Sequence, residues 1–405
     1  MAAPRVVVGM SGGVDSSVAA ALLVERGFDV VGVTMRLWTE SRPEELRGHQ
    51  QCCSVEDIDD ARRVAGQLGI RHYVMNFEDE FRERVVDNFV SEYAAGRTPN
   101  PCVRCNEHIK YRALLDRLPA LEAEYVATGH YARVVIADCR LPIADSRESI
   151  HDSRDPIHDS RFTIHDSGAA APIDNRQSTI GNPRFQLLRA VDTSKDQSYV
   201  LYMLQQEQLA RLILPIGELT KIEVREHARR LGLDTADKPD SVEICFVPGN
   251  DYRAFVGERL DPKPGEMRDA ATGEVLGEHR GVAAYTIGQR KGLGVAVGEP
   301  RFVTGIDAAA NVVTIGPEEA LFADTIEVGE VRWIAGEPSA PGTAIEAKAR
   351  YKAVPAPATI VETAGEHAVV RFAKGQRALT PGQAVAFYAG DEVLGGGTIE
   401  RVWRG

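Results

Sequence analysis

Residues 5–17, Arg-Val-Val-Val-Gly-Met-Ser-Gly-Gly-Val-Asp-Ser-Ser, decide how the first part of the chain folds. The β-branched run Arg5–Met10 predicts a strand, and the alanine- and leucine-rich stretch Asp15–Arg26 predicts a helix. Glycines between a strand and a helix let backbone N–H groups approach an anion, and the helix dipole adds positive partial charge there. The stretch therefore indicates a phosphate-binding loop, although a tight strand-to-helix turn is the plainer alternative. It is neither a Walker loop, which needs Gly-Lys-Ser/Thr, nor the dinucleotide pattern Gly-x-Gly-x-x-Gly.

Strand and helix signals continue to alternate as far as about residue 135. Such alternation predicts crossover connections and a parallel sheet, and therefore an α/β N-terminal domain. The predicted strands that follow the first are Asp29–Met35, Arg71–Asn76, Tyr125–Thr128 and Phe185–Val191, and the predicted helices are Ser54–Leu68, Phe81–Ala94, Lys110–Leu118, Ser198–Leu212 and Lys221–Leu231.

From about Gly273 onward the helix signals end, and short alternating strands separated by Gly, Pro and Asp take over. This pattern is typical of a β-barrel or a β-sandwich. The chain therefore divides into an α/β N-terminal domain, a mixed middle and an all-β C-terminal domain. The predicted strands of the last part are Ala283–Ile287, Phe302–Ile306, Asn311–Ile315, Thr343–Arg350, Ala368–Phe372, Ala384–Tyr388 and Glu392–Val402.

Charge and cysteine content limit the class of protein. The formal net charge of −12 excludes a protein covered in basic charge but allows a local basic groove for RNA. Six cysteines in 405 residues are too few for a disulfide scaffold, so we expect a reducing cytoplasm. No window approaches ~18 consecutive apolar residues, and the N-terminus leads directly into a strand, so we expect neither a membrane span nor a signal peptide.

Residues 138–183 contain a repeat in which isoleucines recur every seven residues from Ile143 to Ile164. Each repeat has a single apolar position, which is too few for a coiled coil. The histidines of the repeat could suggest a metal-binding tract, but a spacing of seven in a floppy chain builds no fixed site. We interpret the segment as a low-complexity insertion in a surface loop. Its histidines are His151, His158 and His165.

Two cysteines lie together in the stretch 99–106, Pro-Asn-Pro-Cys-Val-Arg-Cys-Asn, which predicts an exposed Pro-rich loop before a helix. A thiol near a helix N-terminus and beside Arg104 favours the thiolate, so Cys105 is a candidate nucleophile. Cys245 lies far away in the chain between two apolar residues, where a small buried hydrophobe is the plainer interpretation.

The loop Ser11-Gly12-Gly13-Val14-Asp15-Ser16 resembles the pyrophosphate-binding loop of the ATP pyrophosphatase superfamily, Ser-Gly-Gly-x-Asp-Ser. Within that superfamily the chain resembles the tRNA-specific 2-thiouridylases, which replace O2 of the wobble uridine with sulfur. The resemblance covers nearly the whole chain outside the insertion. Its further motifs are Cys52-Cys53-Ser54 with Glu56-Asp57, Gly96–Pro101, Ala127–Tyr131, Lys195–Tyr199, Ile244–Phe246 and Tyr285–Gly294.

The resemblance implies a fold and a set of partners. It implies an α/β catalytic domain with a parallel sheet, adenine-nucleotide alpha hydrolase-like, over residues 1–211, interrupted by the insertion at about 138–183. A small mixed central tRNA-binding domain over 212–317 and a C-terminal antiparallel β-barrel over 318–405 would follow. The implied ligands are ATP, Mg²⁺ and tRNA, and the implied sulfur donor is a sulfur-relay protein or a cysteine desulfurase.

The resemblance also implies roles for single residues. Cys105 would be the nucleophilic cysteine and Cys245 would carry a persulfide, and the two would end the reaction as a disulfide that a reductant reopens. Judged alone, Lys195 and Asp196 are an ordinary solvated charge pair and Tyr351 is a half-buried strand residue. The implied nucleotide contacts are Gly9, Met10, Ser11, Gly12, Gly13, Val14, Asp15, Ser16, Met35 and Gly129. The implied tRNA contacts are Asn100, Pro101 and Cys102 at the target base, and Lys195, Asp196, Gln197, Arg350 and Tyr351 elsewhere.

The chain departs from this family at Cys102, where many members carry Asp. A thiol cannot orient a base or transfer a proton as a carboxylate does. The change creates Cys102-x-x-Cys105, and with Cys245 the three thiols resemble the set that holds a [4Fe–4S] cluster in other RNA thiolases of the superfamily. Structural zinc is disfavoured because it usually takes four protein ligands. We place persulfide chemistry ahead of a cluster at this stage.

Two rival functions stay open at this stage. Another adenylating ligase or amidotransferase of the superfamily would need neither Cys105 nor Cys245. A non-catalytic RNA-binding protein would bind tRNA without forming AMP. Cys52 and Cys53 have no derived catalytic role, and Cys139 is incidental. The tRNA hypothesis itself predicts a basic groove built from Arg104, Lys110, Arg112, Lys195, Arg290, Lys291 and Arg350.

Overall fold

The computed structural model describes residues 3–38, 55–137, 184–240, 244–295, 298–351 and 353–403. The predictions for Cys52, Cys53, Cys139 and the insertion 138–183 fall outside these ranges. The described residues form three β-sheets. None of the helices in these ranges has the length and hydropathy that a membrane span requires.

The N-terminal part alternates strands with helices, as the sequence predicts. A π-helical turn, Arg82–Val86, joins the third helix to the fourth, and a longer one, Cys105–Ala113, continues the fifth. The elements in chain order are β1 (Arg5–Gly9), α1 (Val14–Glu25), β2 (Asp29–Arg36), α2 (Val55–Gln67), β3 (Arg71–Asn76), α3 (Glu78–Phe81), α4 (Asp87–Ala94), α5 (Pro101–Arg104), β4 (Tyr125–Thr128), β5 (Ala132–Ile136), β6 (Phe185–Arg189), α6 (Gln206–Leu209), β7 (Leu212–Ile213), α7 (Lys221–Arg230) and α8 (Tyr252–Gly257).

The first sheet has the strand order β3-β2-β1-β4-β7, and all of its strands run parallel. Both faces are covered. Val6 and Val8 belong to a core that includes residues of α1 and α7, whereas Val7 and Val33 belong to a core that includes Cys105. Because β1 lies between β2 and β4, the loops after these three strands meet at one edge of the sheet, where α/β proteins bind ligands.

The helix predicted over Lys110–Leu118 begins earlier than expected, at Pro101. The side-chain oxygen of Asn100 accepts a hydrogen bond from the Val103 N–H at 3.3 Å, and proline occupies the first helical position. Both features are strong helix-start signals. The predicted loop around Cys102 is therefore wrong, because this residue lies on a helix.

Two other predicted elements are wrong. The segment Ser198–Leu212 contains a 3₁₀ turn and the short helix α6 instead of one long helix. Its residues from Tyr199 to Leu204 are all buried, so the apolar run reflects burial rather than helical periodicity. The strand predicted over Ala283–Ile287 is replaced by a 3₁₀ turn, Val282–Ala284.

The second sheet is small and mixed. Its strands are β8 (Gly265–Asp269), β9 (Val275–His279), β10 (Phe302–Asp307) and β11 (Val312–Gly316). They lie in the order β10-β11-β8-β9, with β11 and β8 parallel and the other neighbours antiparallel. The core of this sheet is apolar and contains Met267, Val303, Val313 and Ile315.

The third sheet closes on itself. Its strands are β12 (Phe322–Trp333), β13 (Ala344–Lys348), β14 (Ala356–Ala364), β15 (His367–Arg377), β16 (Ala384–Ala389) and β17 (Glu392–Trp403). They follow the order β12-β15-β14-β13-β16-β17, and β12 pairs with β17 to complete an antiparallel barrel. The hairpin β5–β6 attaches to β17 outside the barrel. The predicted fold class, α/β followed by a mixed sheet and a barrel, is confirmed. The predicted boundaries near residues 212 and 318 stay predictions, and β7 pairs within the first sheet.

The three parts meet at residues 96–100, which we call the junction loop. Gly96 has φ +72°, and a Cβ there would lie 2.6 Å from Ile306 Cγ2 of the central sheet. The Thr98 N–H donates to the Pro381 carbonyl at 2.9 Å, and Gln383 Nε2 donates to the Thr98 carbonyl at 3.0 Å. The loop that leads to Cys102 is therefore held by both C-terminal domains.

Candidate active site

The loop between β1 and α1 is built as an anion cradle. Gly12 has φ +73°, a conformation that glycine adopts without strain. The Ser11 N–H donates to Ser16 Oγ at 3.1 Å, and Ser16 Oγ donates to the Gly13 carbonyl at 3.1 Å, so the loop closes on itself. The N–H groups of the first turn of α1 have no acceptor four residues earlier within the helix, and they lie at the positive end of its dipole.

The structure brings the predicted nucleotide residues to the same edge of the sheet. A Cβ on Gly9 would lie 3.7 Å from Met35 Cε, and a Cβ on Gly129 would lie 2.6 Å from the Ser16 nitrogen. The loops after β1, β2 and β4 therefore touch. The Met10 side chain points into the core, with 2% of its surface exposed, so its backbone alone lies in the loop.

Charged residues from distant parts of the chain surround Asp15. Its Oδ1 accepts a hydrogen bond from the Tyr131 hydroxyl at 2.8 Å, and Lys221 Nζ contacts its two carboxylate oxygens at 2.7 and 2.9 Å. Lys221 also pairs with Asp240 at 2.8 Å. Burial raises the pKa of Asp240, but hydrogen bonds from Lys195 and Lys221 outweigh burial and bring it to about 2. Asp240 is therefore ionised and holds these cations beside the loop.

A second group of charges holds the other side of the loop. Lys238 Nζ donates to the Gly12 carbonyl at 3.1 Å and to Asp57 and Asp60 at 2.6 Å each. The roles of Lys221, Lys238 and Asp240 were not predictable, because nothing in their local sequence marks them. Asp57, part of the motif Glu56-Asp57, acquires a role only through Lys238.

The three cysteines of interest differ in exposure. Cys102 is exposed, Cys105 is buried with 7% of its surface accessible, and Cys245 is half-buried. The predicted exposure of Cys105 is therefore wrong. Cys105 belongs to the apolar core on one face of the first sheet, Cys245 packs against the same core, and Met35 is another member. Cys105 and Cys245 therefore border one apolar core, and their pairing stays a prediction.

Within the described ranges, the three ligand side chains whose atoms lie within 4.8 Å of one another are Glu327, His367 and Glu400 on the barrel. The three thiols do not form such a group, so they are not arranged to share one metal ion. The [4Fe–4S] cluster, which holds each thiolate on a different iron, stays a prediction. Asp15 is the carboxylate of the nucleotide loop that could hold Mg²⁺, in exchange for its contact with Lys221.

The residues predicted to contact tRNA divide into two groups. Asp196 is buried, and its carboxylate accepts hydrogen bonds from the N–H groups of Ala190 and Ser198 and from the Ser198 hydroxyl. Gln197 also has a structural contact, since its side-chain oxygen accepts a hydrogen bond from the Tyr131 N–H at 2.9 Å. Both side chains shape the loop that carries Lys195.

The second group faces outward. Tyr351 is 53% exposed. The hydrogen bond that Lys195 donates to Asp240 raises the pKa of Lys195. Arg350 is half-buried and donates to the Arg377 carbonyl at 3.0 Å, and burial lowers its pKa. Lys195, Arg350 and Tyr351 thus remain candidates for direct contact.

The predicted basic groove stays a prediction, and some of its cations are paired with carboxylates. Arg104 is compensated by Glu107 and Glu330, and Lys195 is compensated by Asp240. The exposed pair Arg290–Lys291 begins two residues after Gly288, where a Cβ would lie 3.9 Å from Arg377 Nη1. Arg377 of the barrel therefore lies beside the central-domain loop that carries this pair, and it is itself paired with Glu318 at 2.8 Å.

The helical segment Pro101–Ala113 carries Cys102 and Cys105, and we call it the cysteine helix. A buried polar cluster lies beside it. His130 Nδ1 lies 2.8 Å from Thr128 Oγ1 and 3.0 Å from the Tyr111 hydroxyl. Burial lowers the pKa of His130 well below its usual value. Burial raises the pKa of Tyr111 to about 12. The cluster is therefore neutral at pH 7.

A parallel α/β sheet with an anion cradle after its first strand is the arrangement of a nucleotide-binding α/β protein. The family profile described as "tRNA methyl transferase HUP domain" matches residues 4–171 and 173–249. The profiles "tRNA methyl transferase PRC-barrel domain" and "Aminomethyltransferase beta-barrel domain" match residues 253–317 and 323–399.

Full-length relatives then give the family. "tRNA-specific 2-thiouridylase MnmA 1" of Thermoanaerobacter sp. (strain X514) is 46% identical over 98% of both chains. "tRNA-specific 2-thiouridylase MnmA" of Geotalea uraniireducens (strain Rf4) is 47% identical, over 98% of this chain and 95% of its own. The chain belongs to the family of tRNA-specific 2-thiouridylases, which are tRNA sulfurtransferases.

Proposed function

We propose that the protein is an ATP-dependent tRNA sulfurtransferase that replaces O2 of the wobble uridine with sulfur. One observation carries the proposal. Met35 packs at the nucleotide loop beside Gly9 and also belongs to the apolar core that contains Cys105 and contacts Cys245. The phosphate-binding loop and two candidate sulfur-handling residues therefore border the same apolar core. The names of the relatives support the same chemistry.

The cradle supports ATP rather than a methyl donor, although two of the profile descriptions mention methyl transfer. Backbone N–H groups at a helix N-terminus bind phosphate oxygens well. S-adenosylmethionine has no phosphate, and its sulfonium group is positively charged. The N–H groups of this loop would therefore contribute little to its binding. In this proposal Gly9–Ser16 bind the triphosphate, and Met35 and Gly129 contact the nucleoside.

The first step is adenylation. O2 of the uridine attacks the α-phosphorus of ATP, the bond to the β-phosphate oxygen breaks, and pyrophosphate leaves. Oxide is a poor leaving group from C2, whereas AMP is a good one. Mg²⁺ at Asp15 would offset the charge of the phosphates. Lys221 compensates Asp15 before the nucleotide arrives.

The second step transfers sulfur. The terminal sulfur of a Cys245 persulfide attacks C2, and AMP leaves with the electrons of the C2–O bond. The Cys105 thiolate then attacks Cys245 Sγ, the S–S bond of the persulfide breaks, and its electrons remain on the sulfur bound to C2. This leaves 2-thiouridine and a Cys105–Cys245 disulfide, which an external thiol reduces. A sulfur-relay protein or a cysteine desulfurase reloads Cys245.

The tRNA would lie across the junction of the three domains. Asn100, Pro101 and Cys102 begin the cysteine helix, where they would contact a base that has left its stack. Lys195, Arg350 and Tyr351 would contact the RNA backbone, and the central domain would add Arg290 and Lys291. Asp196 and Gln197 would act by holding the loop of Lys195.

The test is a thiolation assay with tRNA, ATP, Mg²⁺ and a cysteine desulfurase with cysteine, without oxygen. Wild-type protein is expected to form AMP and 2-thiouridine in equal amounts. Cys105→Ser and Cys245→Ser are expected to lose 2-thiouridine while still releasing pyrophosphate. Full activity in both variants would contradict the proposal and favour another adenylating ligase. Binding of tRNA by the wild-type protein without formation of AMP would favour a non-catalytic RNA-binding protein.

Iron and acid-labile sulfide, measured on the same anaerobic protein, separate the two sulfur chemistries. Persulfide chemistry predicts an iron-free protein in which Cys102→Ser still thiolates tRNA. Near-stoichiometric iron that is lost in Cys102→Ser together with activity would instead make Cys102, Cys105 and Cys245 ligands of a [4Fe–4S] cluster.

A further inference from the structure

Lys238 is the residue outside the predicted site that contacts the backbone of the nucleotide loop most directly. Its ammonium group reaches the Gly12 carbonyl, Asp57 Oδ1 and Asp60 Oδ2, at 3.1, 2.6 and 2.6 Å. Three acceptors match the three protons of an ammonium group. Lys238 therefore has no N–H left for a phosphate in this arrangement, and its effect on a nucleotide must pass through the loop.

The contact with the Gly12 carbonyl fixes the orientation of a peptide group. The Gly12–Gly13 peptide is trans, so its C=O and N–H point in opposite directions. Because the Gly12 carbonyl points to Lys238, the Gly13 N–H points away from Lys238. Gly12 also lies directly against the backbone of Asp57, so the peptide has little room to move outward.

Lys238 is itself held in place from the side of α7. Arg225 Nη2 donates to the Lys238 carbonyl and to Asp240 Oδ1, at 3.0 Å each, and Arg225 Nη1 donates to the Ala236 carbonyl at 2.7 Å. Asp240 in turn pairs with Lys221, which contacts Asp15. The segment around Lys238 thus contacts both ends of the nucleotide loop.

We propose that Lys238 is a positioning residue for the nucleotide phosphates, which holds the Gly12 carbonyl outward so that the Gly13 N–H points at the phosphate site. This inference rests on the proposed function and deepens it. It assigns a phosphate-orienting role to a residue more than 200 positions beyond the loop in sequence. The alternative is that Lys238 acts on the nucleotide only by its charge.

The experiment measures dissociation constants of ATP, pyrophosphate and adenosine for wild-type protein, Lys238→Met and Lys238→Arg. Lys374→Met, a change of an exposed lysine on the barrel, is the matched control. Loss of one well-aimed hydrogen bond to a charged group predicts weakening of ATP and pyrophosphate binding by about tenfold in Lys238→Met. Adenosine carries no phosphate and is expected to bind unchanged. Lys238→Arg is expected to restore most of the affinity, because its N–H groups reach the same acceptors.

Salt separates positioning from charge. Through-space attraction is screened between about 0.05 M and 0.5 M salt, so a charge effect would shrink over this range. The positioning role predicts that the ratio of ATP dissociation constants between Lys238→Met and wild type persists at high salt. Disappearance of the ratio, unchanged ATP binding, or an equal loss of adenosine binding would each overturn the proposal.

Arg225→Met provides a second variant should Lys238→Met not fold. It keeps the Lys238 charge and removes the bonds that hold its backbone, so the same loss selective for phosphate is expected by a smaller factor. Unchanged ATP binding in Arg225→Met would then count against the proposal. A wild-type protein that binds ATP but does not thiolate tRNA would overturn the proposed function and leave the role of Lys238 intact.

Discussion

At the scale of single residues, burial changes what a side chain can do more than its neighbours in sequence suggest. His130 is 8% exposed and lies between the Thr128 and Tyr111 hydroxyls. Its pKa in the folded protein is lowered well below 6.5 because burial disfavours the imidazolium. His130 therefore binds a proton near pH 6.5 in the unfolded chain but stays neutral at that pH in the folded protein.

This difference predicts a pH dependence of stability. Below pH 6.5 the unfolded state binds more protons at His130, so the free energy of unfolding falls as pH falls, by up to about 1.4 kcal/mol per pH unit. His130→Asn is expected to be less stable at pH 7.5 but to lose less between pH 7.5 and 5.5. Urea titrations at both pH values measure it. The exposed His367→Asn is the control, and equal pH slopes in all three proteins would refute the assignment.

Asp196 illustrates what could not be predicted at this scale. Its place in Lys-Asp-Gln-Ser-Tyr marks it as a family motif, but the sequence does not say that its carboxylate is already satisfied by Ala190 and Ser198. Hydrogen bonds of that kind depend on the loop conformation. The residues of the nucleotide loop were predictable because they are consecutive, whereas Lys221, Lys238 and Asp240 reach the loop only through the fold.

At the scale of elements, the close approach of two loops makes Gly129 sensitive. An alanine Cβ there would lie 2.6 Å from the Ser16 nitrogen, so the first turn of α1 must shift. We expect Gly129→Ala to weaken ATP binding by at least about tenfold, since the aim of several N–H donors changes together. Titration of ATP measures it.

Gly66→Ala is the matched control for this change. Gly66 lies near the end of α2 with nothing within 4 Å of the added methyl. Alanine favours helix over glycine by up to about 1 kcal/mol, so this variant is expected to be as stable as wild type or more stable, with unchanged ATP binding. Equal ATP affinity in the two variants would contradict the close packing of Gly129 on the loop.

Secondary structure was predicted correctly where several local sequence signals indicate the same element. It was predicted wrongly where an apolar run reflects burial alone. Strand β3 matches its predicted range, and the helix predicted from Lys221 begins with the capping box of Thr220 and Glu223. Residues 199–204 are apolar because they pack against residues of the barrel. The periodicity of so short an apolar run does not distinguish a buried irregular segment from a buried helix. The long strands β12 and β14 were missed. The partners of β12, on β15 and β17, are distant in sequence, whereas β14 pairs with the neighbouring strands β13 and β15.

At the scale of the whole molecule, the junction loop couples the barrel to the cysteine helix. Gly382 has φ +90°, and a Cβ there would lie 2.9 Å from the Thr98 nitrogen. We expect Gly382→Ala to displace the junction loop and lower tRNA thiolation by at least about tenfold, since a small misplacement of reacting groups has such effects. ATP binding is expected to persist, because the nucleotide loop lies elsewhere.

Gly390→Ala is the control for backbone strain. Its φ of +59° is also positive, but nothing lies within 4 Å of the added methyl. In both variants alanine adopts a left-handed backbone conformation, which costs about 1–2 kcal/mol. The clash with the Thr98 backbone is present only in Gly382→Ala. Steady-state thiolation and ATP titration of the pair measure the difference. Equal thiolation rates would show that the junction loop does not position the cysteine helix.

The hairpin β5–β6 predicts tolerance of a large deletion. Ile136 pairs with Phe185, and the Ala137 N–H donates to the Arg184 carbonyl at 2.7 Å, so the two ends of the hairpin are adjacent. Replacing residues 138–183 by a short Gly/Asn turn is expected to preserve thiolation and to raise the free energy of unfolding by about 2 kcal/mol through a smaller loop-closure entropy. Thermal melts and the thiolation assay measure this. Loss of activity in a folded variant would assign the insertion a function.

The contacts of Lys238 have a consequence for the order in which the chain is made. Residues 5–17 leave the ribosome before the side chains that hold them, because Lys221 and Lys238 are translated more than 200 residues later. At about 5–20 residues per second, the nucleotide loop spends at least about ten seconds without its supports. A nascent chain that ends before Lys238 will therefore bind ATP weakly, and the protein acquires its affinity for nucleotide late in its own synthesis.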